Sequence, residues 1–217
     1  MVRVESHSNS KAFRSLSRKP SSCSDPPKIL IYGFGPYGYF ASNITENAIK
    51  KLAARKGLRK MVFPVRFNKR QFTQAVKNYQ PDVILGLGQC SAGRRLRIEL
   101  RAFNRRRQRP RANPVPIAPA GARWLETTLQ LDFGREATVS RKAGSYVCNY
   151  SMYVMLDYLR RNRSCTRFGF IHVPYDFNTE KITRYLERVL GRIYKSFSKV
   201  PDNSPFTLHT RGERRNP

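Results

Sequence analysis

Along the chain, short apolar runs alternate with segments in which apolar residues recur every three or four positions. These are the marks of buried strands and of helices with one covered face. Residues 28–32 form a β-rich run ended by glycines, and Asn43 then opens a segment whose Ile44, Ala48, Ile49, Leu52 and Ala53 share a helical face that ends at Gly57. Residues 61–65 predict a second strand, with Pro64 placing it near a sheet edge or at a bulge. Asn68 can cap a helix bearing Phe72, Ala75, Val76 and Tyr79, which Pro81 stops. Residues 82–88 predict a buried strand followed by a polar, glycine-containing loop, and residues 96–103 alternate apolar and charged as a half-exposed strand would. Arginine and proline dominate residues 104–119, where no regular structure is predicted. Residues 137–140 suit a strand, and Gly144 precedes a helix over 148–161 with Cys148, Met152, Leu156 and Leu159 on one face. A strand over 167–174 and a helix over 179–194, with Ile182, Tyr185, Leu186, Val189, Leu190 and Ile193 as its stripe, complete the pattern. Such alternation predicts an α/β fold of three layers, helices on both faces of a twisted, mostly parallel central sheet.

A chain of 217 residues sets a prior of one domain, expected over 28–195. Residues 1–27 are basic, Ser-rich and poor in core-forming side chains, and predict a disordered extension; Glu5 and Asp25 argue against a transit peptide. Residues 196–217 read as a basic flexible tail. A spanning helix needs about 18 successive apolar residues, and the run around Val83 to Leu87 falls far short. Cys23, Cys90, Cys148 and Cys165 accompany no apolar leader and no CxxC spacing, so reduced thiols in a cytoplasmic protein are expected. The histidines are His7, His172 and His209, so a Cys/His metal site would have to recruit the tails; no metal or cofactor is expected.

Four features carry chemistry. Gly33-Phe-Gly-Pro-Tyr-Gly38 matches GxGxxG after a strand, but Pro36 and Tyr37 are rigid and bulky where a pyrophosphate would approach, and the helix starts about five residues late. A tight turn or an aromatic-lined binding loop are the other readings. Cys148 starts a helix, where unpaired N–H groups and the helix dipole favour a thiolate and should lower its pKa; a buried structural cysteine is the alternative. His172 is the histidine in the body of the chain and is either structural or the base that a thiol nucleophile needs. Glu99, alone among acids between Asp82 and Glu126 and flanked by arginines, suits the group that orients such a base, or one arm of a surface salt bridge.

Four stretches in order resemble the pyroglutamyl peptidase I (pyrrolidone carboxyl peptidase) family: Gly33-Phe-Gly-Pro-Tyr-Gly38; Gly88-Gln-Cys-Ser-Ala-Gly93 leading to Ile98-Glu99 and Asn104; Ala143-Gly-Ser-Tyr-Val-Cys-Asn149; and Gly169-Phe-Ile-His-Val-Pro-Tyr175. The resemblance, over roughly residues 28–194, implies a phosphorylase/hydrolase-like fold and a cysteine-type omega peptidase that hydrolyses the amide after an N-terminal pyroglutamyl residue of peptides. It implies Cys148 as nucleophile, His172 as general base and Glu99 as orienter. It also implies Phe34, Tyr37, Gln89, Tyr146 and Val147 as the substrate pocket.

The chain departs from that pattern in three places. Leu100 stands where a basic residue usually follows the Glu, Lys142 stands where small polar or acidic residues are usual, and the loop after Asn104 is arginine-rich instead of acidic. Lys and Arg number 42 against 14 acids, net +28, and the span from Arg94 to Arg111 holds nine arginines and one acid. A neutral substrate does not account for this. Contact with acidic peptides or with nucleic acid through the Arg-rich segment would, and a catalytically impaired domain acting as a basic nucleic-acid-binding module is the alternative to the enzyme.

Overall fold

The structure is a computed structural model that describes residues 25–198 other than 92, 110 and 131. In chain order the elements are β1 (Ile29–Phe34), α1 (Ile44–Lys51), β2 (Leu58–Phe63), α2 (Lys69–Tyr79), β3 (Val83–Cys90), β4 (Leu96–Glu99), β5 (Arg101–Phe103), β6 (Trp124–Glu126), β7 (Ala137–Ser140), α3 (Val147–Arg161), β8 (Arg167–Pro174) and α4 (Thr179–Ser198). Six strands form one sheet in the order β2-β1-β3-β8-β4-β7. All neighbours are parallel except β4 and β8.

Helices cover both faces, which is why β1, β3 and β8 are buried almost end to end and read as continuous apolar runs. On one face Ile44, Ala48 and Ile49 of α1 and Ile182, Leu186 and Leu190 of α4 join Ile29, Ile31, Leu85 and Ile171 in one core. On the other, Phe72 and Val76 of α2 and Met152 and Leu156 of α3 join Leu30, Ile84, Phe168 and Phe170. The expected three-layer α/β/α architecture is the one observed.

Several boundaries differ from the sequence expectation. The alternating stretch 96–103 is two strands, because the chain changes sheets at Leu100: its N–H donates to the Ser140 carbonyl while its own carbonyl accepts from Thr127 N–H. Beyond it β5 pairs antiparallel with β6, a strand of three residues too short to be predicted, and this small sheet packs on α3. The first helix stops at Lys51, not near Gly57, which instead adopts a positive φ of 78° leading into β2. Arg59 and Lys60 conceal the start of β2 in sequence, yet it does lie at the sheet edge that Pro64 suggests, and its charges blunt that edge. The last helix continues to Ser198 because Phe197 still packs against the core, so residues 196–198 of the expected tail are helical. At the other end Pro27 is buried. Residues 1–24 and 199–217, which hold most of the expected extension and tail with Cys23, His7 and His209, lie outside the described residues.

Two core tyrosines make the fold sensitive to alkaline pH. Tyr32 is buried with its hydroxyl 3.0 Å from Ser151 Oγ, and Tyr185 donates to the Phe133 carbonyl. Burial pushes both phenols above their ordinary value. In the unfolded chain tyrosine ionises near pH 10. The folded state therefore keeps its full stability below that pH and loses it as pH rises toward the elevated folded values. A denaturant midpoint that falls between pH about 8 and about 11 is the expected result, and an unchanged midpoint would contradict it.

Candidate active site

Sheet register assembles the site before any side chain is considered. Strand β8 lies between β3 and β4, with His172 opposite Gly88 on one side and Arg97 on the other. Side chains two apart on a strand share a face, so Arg97 brings Glu99 along with it. The imidazole Nδ1 lies 2.7 Å from Glu99 Oε1, and both residues are buried. A carboxylate can only accept, so Nδ1 carries the proton and Nε2 is left as a base. Burial alone would raise the Glu99 pKa. Hydrogen bonding to His172, the Ser140 side chain and the Arg97 guanidinium outweigh it and hold the carboxyl below its ordinary value.

Cys148 arrives from the opposite direction, as the second residue of α3. Gly88 makes room for it. A Cβ added there would lie 2.6 Å from Cys148 Sγ, 2.8 Å from Phe170 Cζ and 3.0 Å from His172 Cδ2. Sulfur and imidazole edge thus converge on one point above Gly88, and any larger residue would drive them apart. Tyr146 caps the helix in extended conformation without a side-chain cap bond, which leaves N–H groups of the first turn available to a ligand.

The expectation of a thiol acidified by the helix N-terminus is corrected. Burial, with the neighbouring Cys90 and Glu99, pushes the Cys148 thiol up to about 12. Desolvation of the sulfur exceeds the attraction of the helix end. That direction favours the neutral thiol near neutral pH.

Beside the sulfur is a recess lined by Phe34, Tyr37, Asn43, Val65, Gln89, Tyr146, Val147 and Cys148. It is a partly open recess walled largely by apolar and aromatic side chains, which favours a small, flat, uncharged group over a charged one. Every pocket residue expected from sequence lines it, and Glu99 and His172 pair beside it. Asn43 and Val65 are additions that sequence reasoning misses. Asn43 is legible only as a helix cap: its Oδ1 accepts from Thr45 N–H and its Nδ2 donates to the Gly35 carbonyl, which pins the aromatic loop to α1. Val65 gives no signal, since it follows the strand in a loop.

The glycine-rich segment is a wall of this recess and not a phosphate cradle. The N–H groups that would bind phosphate at the start of α1 are already occupied, Ile44 donating to Gln89 Oε1 and Thr45 to Asn43 Oδ1. Gln89 Nε2, by contrast, is buried with no hydrogen-bond partner among the described residues.

The arginine-rich loop is held firmly in spite of its irregular backbone. Asn149, next to Cys148, donates to the Phe103 and Arg105 carbonyls and accepts from Phe103 N–H. Asn104 donates to the Ala118 carbonyl and accepts from Ile117 and Ala118 N–H. Arg107 N–H donates to the Ser145 carbonyl, tying the loop to the turn that leads into α3.

Comparison with known proteins agrees with this geometry. The profile of the pyroglutamyl peptidase family matches residues 27–114 and 125–184, passing over only the stretch between Asn113-Pro114 and Leu125. The pyrrolidone-carboxylate peptidase of Bacillus subtilis is 31% identical over 168 residues, covering 68% of this chain and 78% of the relative. That of Streptococcus pyogenes serotype M4 is 32% identical over 197 residues, covering 76% and 92%. Among solved structures, pyroglutamyl peptidase I from Bacillus amyloliquefaciens superposes with a TM-score of 0.68 at 26% identity, covering 80% of this chain and 95% of its own. Pyrrolidone carboxyl peptidase from Thermococcus litoralis shares the fold with a TM-score of 0.70 at 22% identity, covering 79% and 94%. With the family profile spanning most of the described residues and the sulfur, imidazole and carboxylate meeting where its motifs fall, this chain belongs to the pyroglutamyl peptidase family.

Proposed function

We propose that the chain is a cysteine peptidase that hydrolyses the amide following an N-terminal pyroglutamyl residue. Cys148 is the nucleophile, His172 the proton carrier and Glu99 the group that fixes the imidazole. The observation that carries this reading is the convergence of Cys148 Sγ and His172 Cδ2 above Gly88, with Glu99 bonded behind the ring.

The lactam sits in the recess between Phe34 and Tyr37, where Gln89 Nε2, unpartnered among the described residues, offers a donor to its ring carbonyl. A free N-terminal glutamate would bring an ammonium and a carboxylate into the same apolar space at high desolvation cost. As the sulfur attacks the pyroglutamyl carbonyl carbon, the thiol proton passes to His172 Nε2. The resulting oxyanion lies by the open N–H groups of the first turn of α3. Collapse breaks the C–N bond, and His172 returns the proton to the departing amine. Water, activated by the same imidazole, then cleaves the thioester, releasing pyroglutamate and restoring the thiol. A catalytic thiol must stay reduced, which supports the cytoplasm as its compartment.

Turnover of a chromogenic pyroglutamyl amide under reducing conditions, with no turnover of the matching glutamyl or prolyl amide, is the expected result. Iodoacetamide should abolish it in proportion to labelling of Cys148, whatever the extent of labelling at the exposed Cys165. Absence of turnover, or inactivation with Cys148 unlabelled, would overturn the assignment.

A further inference from the structure

We propose that Arg97 is a specificity-determining group that binds a carboxylate on the departing peptide. The enzyme would then favour substrates in which the residue after pyroglutamate is acidic or itself carries the terminal carboxylate. This rests on the pyroglutamyl peptidase reading above.

The geometry supplies the direction. The recess that takes the ring is lined by Cys148 but not by His172, and the leaving amine must receive its proton from that imidazole. The residue after the scissile bond therefore lies beside the imidazole, and Arg97 is the cross-strand partner of His172. Side chains directly opposite on antiparallel strands stand about 5 Å apart at Cβ, well within the reach of an arginine.

Arg97 is also short of partners among the described residues. Its Nε is 3.6 Å from Glu99 Oε1, too long for a hydrogen bond, and that oxygen already pairs with His172 at 2.7 Å. The same Nε is buried with no hydrogen-bond partner among those residues, whereas the side chain as a whole is 32% exposed. Its Nη1 lies 3.9 Å from where a Cβ on the exposed Gly93, in the loop between β3 and β4, would stand.

Local charge points the same way. When the thiol proton moves to His172, the imidazolium is matched by the oxyanion formed on the substrate, so the Arg97 charge is unaltered and stays available to a substrate carboxylate. Arg94 and Arg95, both exposed, add to the attracting field at the mouth.

The test compares isosteric substrates. Wild type should cleave pyroglutamyl-aspartyl amide with a kcat/KM roughly tenfold above that for pyroglutamyl-asparaginyl amide. The advantage should shrink as salt rises from about 0.01 M to about 0.5 M. Pyroglutamyl-alanine against its C-terminal amide asks whether a terminal carboxylate serves as well; preference in either pair supports the proposal, and preference in neither overturns it. In Arg97→Gln the ratios should fall to near one whatever the absolute rates. A merely structural arginine would slow all four substrates alike and leave the ratios intact, which would also overturn it. Good turnover without preference defeats only this inference, whereas no turnover of any of the four defeats the underlying activity as well.

Discussion

Cys148→Ser is expected to lower kcat for a pyroglutamyl amide at least about 10³-fold while leaving the folded chain intact. The substitution keeps the size of the side chain at the start of α3, so Gly88, Phe170 and His172 need not move. What changes is the nucleophile. A hydroxyl is far harder to deprotonate than even a thiol raised to about 12, and the imidazole that must do it is a weak base. Steady-state rates alongside a thermal melt decide the matter: retention of more than about a tenth of wild-type kcat with an unchanged melt would remove Cys148 from the chemistry.

Glu99→Gln should cost about 10² to 10⁴ in kcat with little change in KM. The carboxylate touches Nδ1 of His172 and does not line the recess, so substrate binding has no reason to weaken. Glutamine can present its amide N–H to Nδ1, which places the imidazole proton on Nε2 and removes the base that faces the sulfur. The variant also lacks the negative charge that stabilises the imidazolium formed during attack. A KM that rises in proportion to the loss in kcat/KM, with kcat preserved, would show that Glu99 acts on binding instead.

The same two residues show how far sequence reaches. Cys148, His172 and Glu99 are recognisable because thiol, imidazole and carboxylate form a known division of labour and their surrounding motifs match one family. Their meeting is not readable, since it depends on β4 running antiparallel to β8 and on Gly88 leaving space between strand and helix. The acidity of Cys148 is misjudged from sequence for a related reason. A helix start is local and visible there, whereas desolvation comes from packed walls, and the neighbouring Cys90 and Glu99 are brought in from elsewhere in the chain.

By itself the sequence determined the alternation of elements, the aromatic loop after β1 and the chemical types available, because periodicity, capping residues and glycine act over a few neighbouring positions. Only tertiary structure decided that the stretch 96–103 would divide between two sheets, that Asn43 and Val65 would line the recess, and that Arg97 would stand across from His172 with an incompletely paired guanidinium. Register and burial are properties of contacts between distant segments, and a one-residue slip in β4 would have turned both Glu99 and Arg97 to the other face of the sheet.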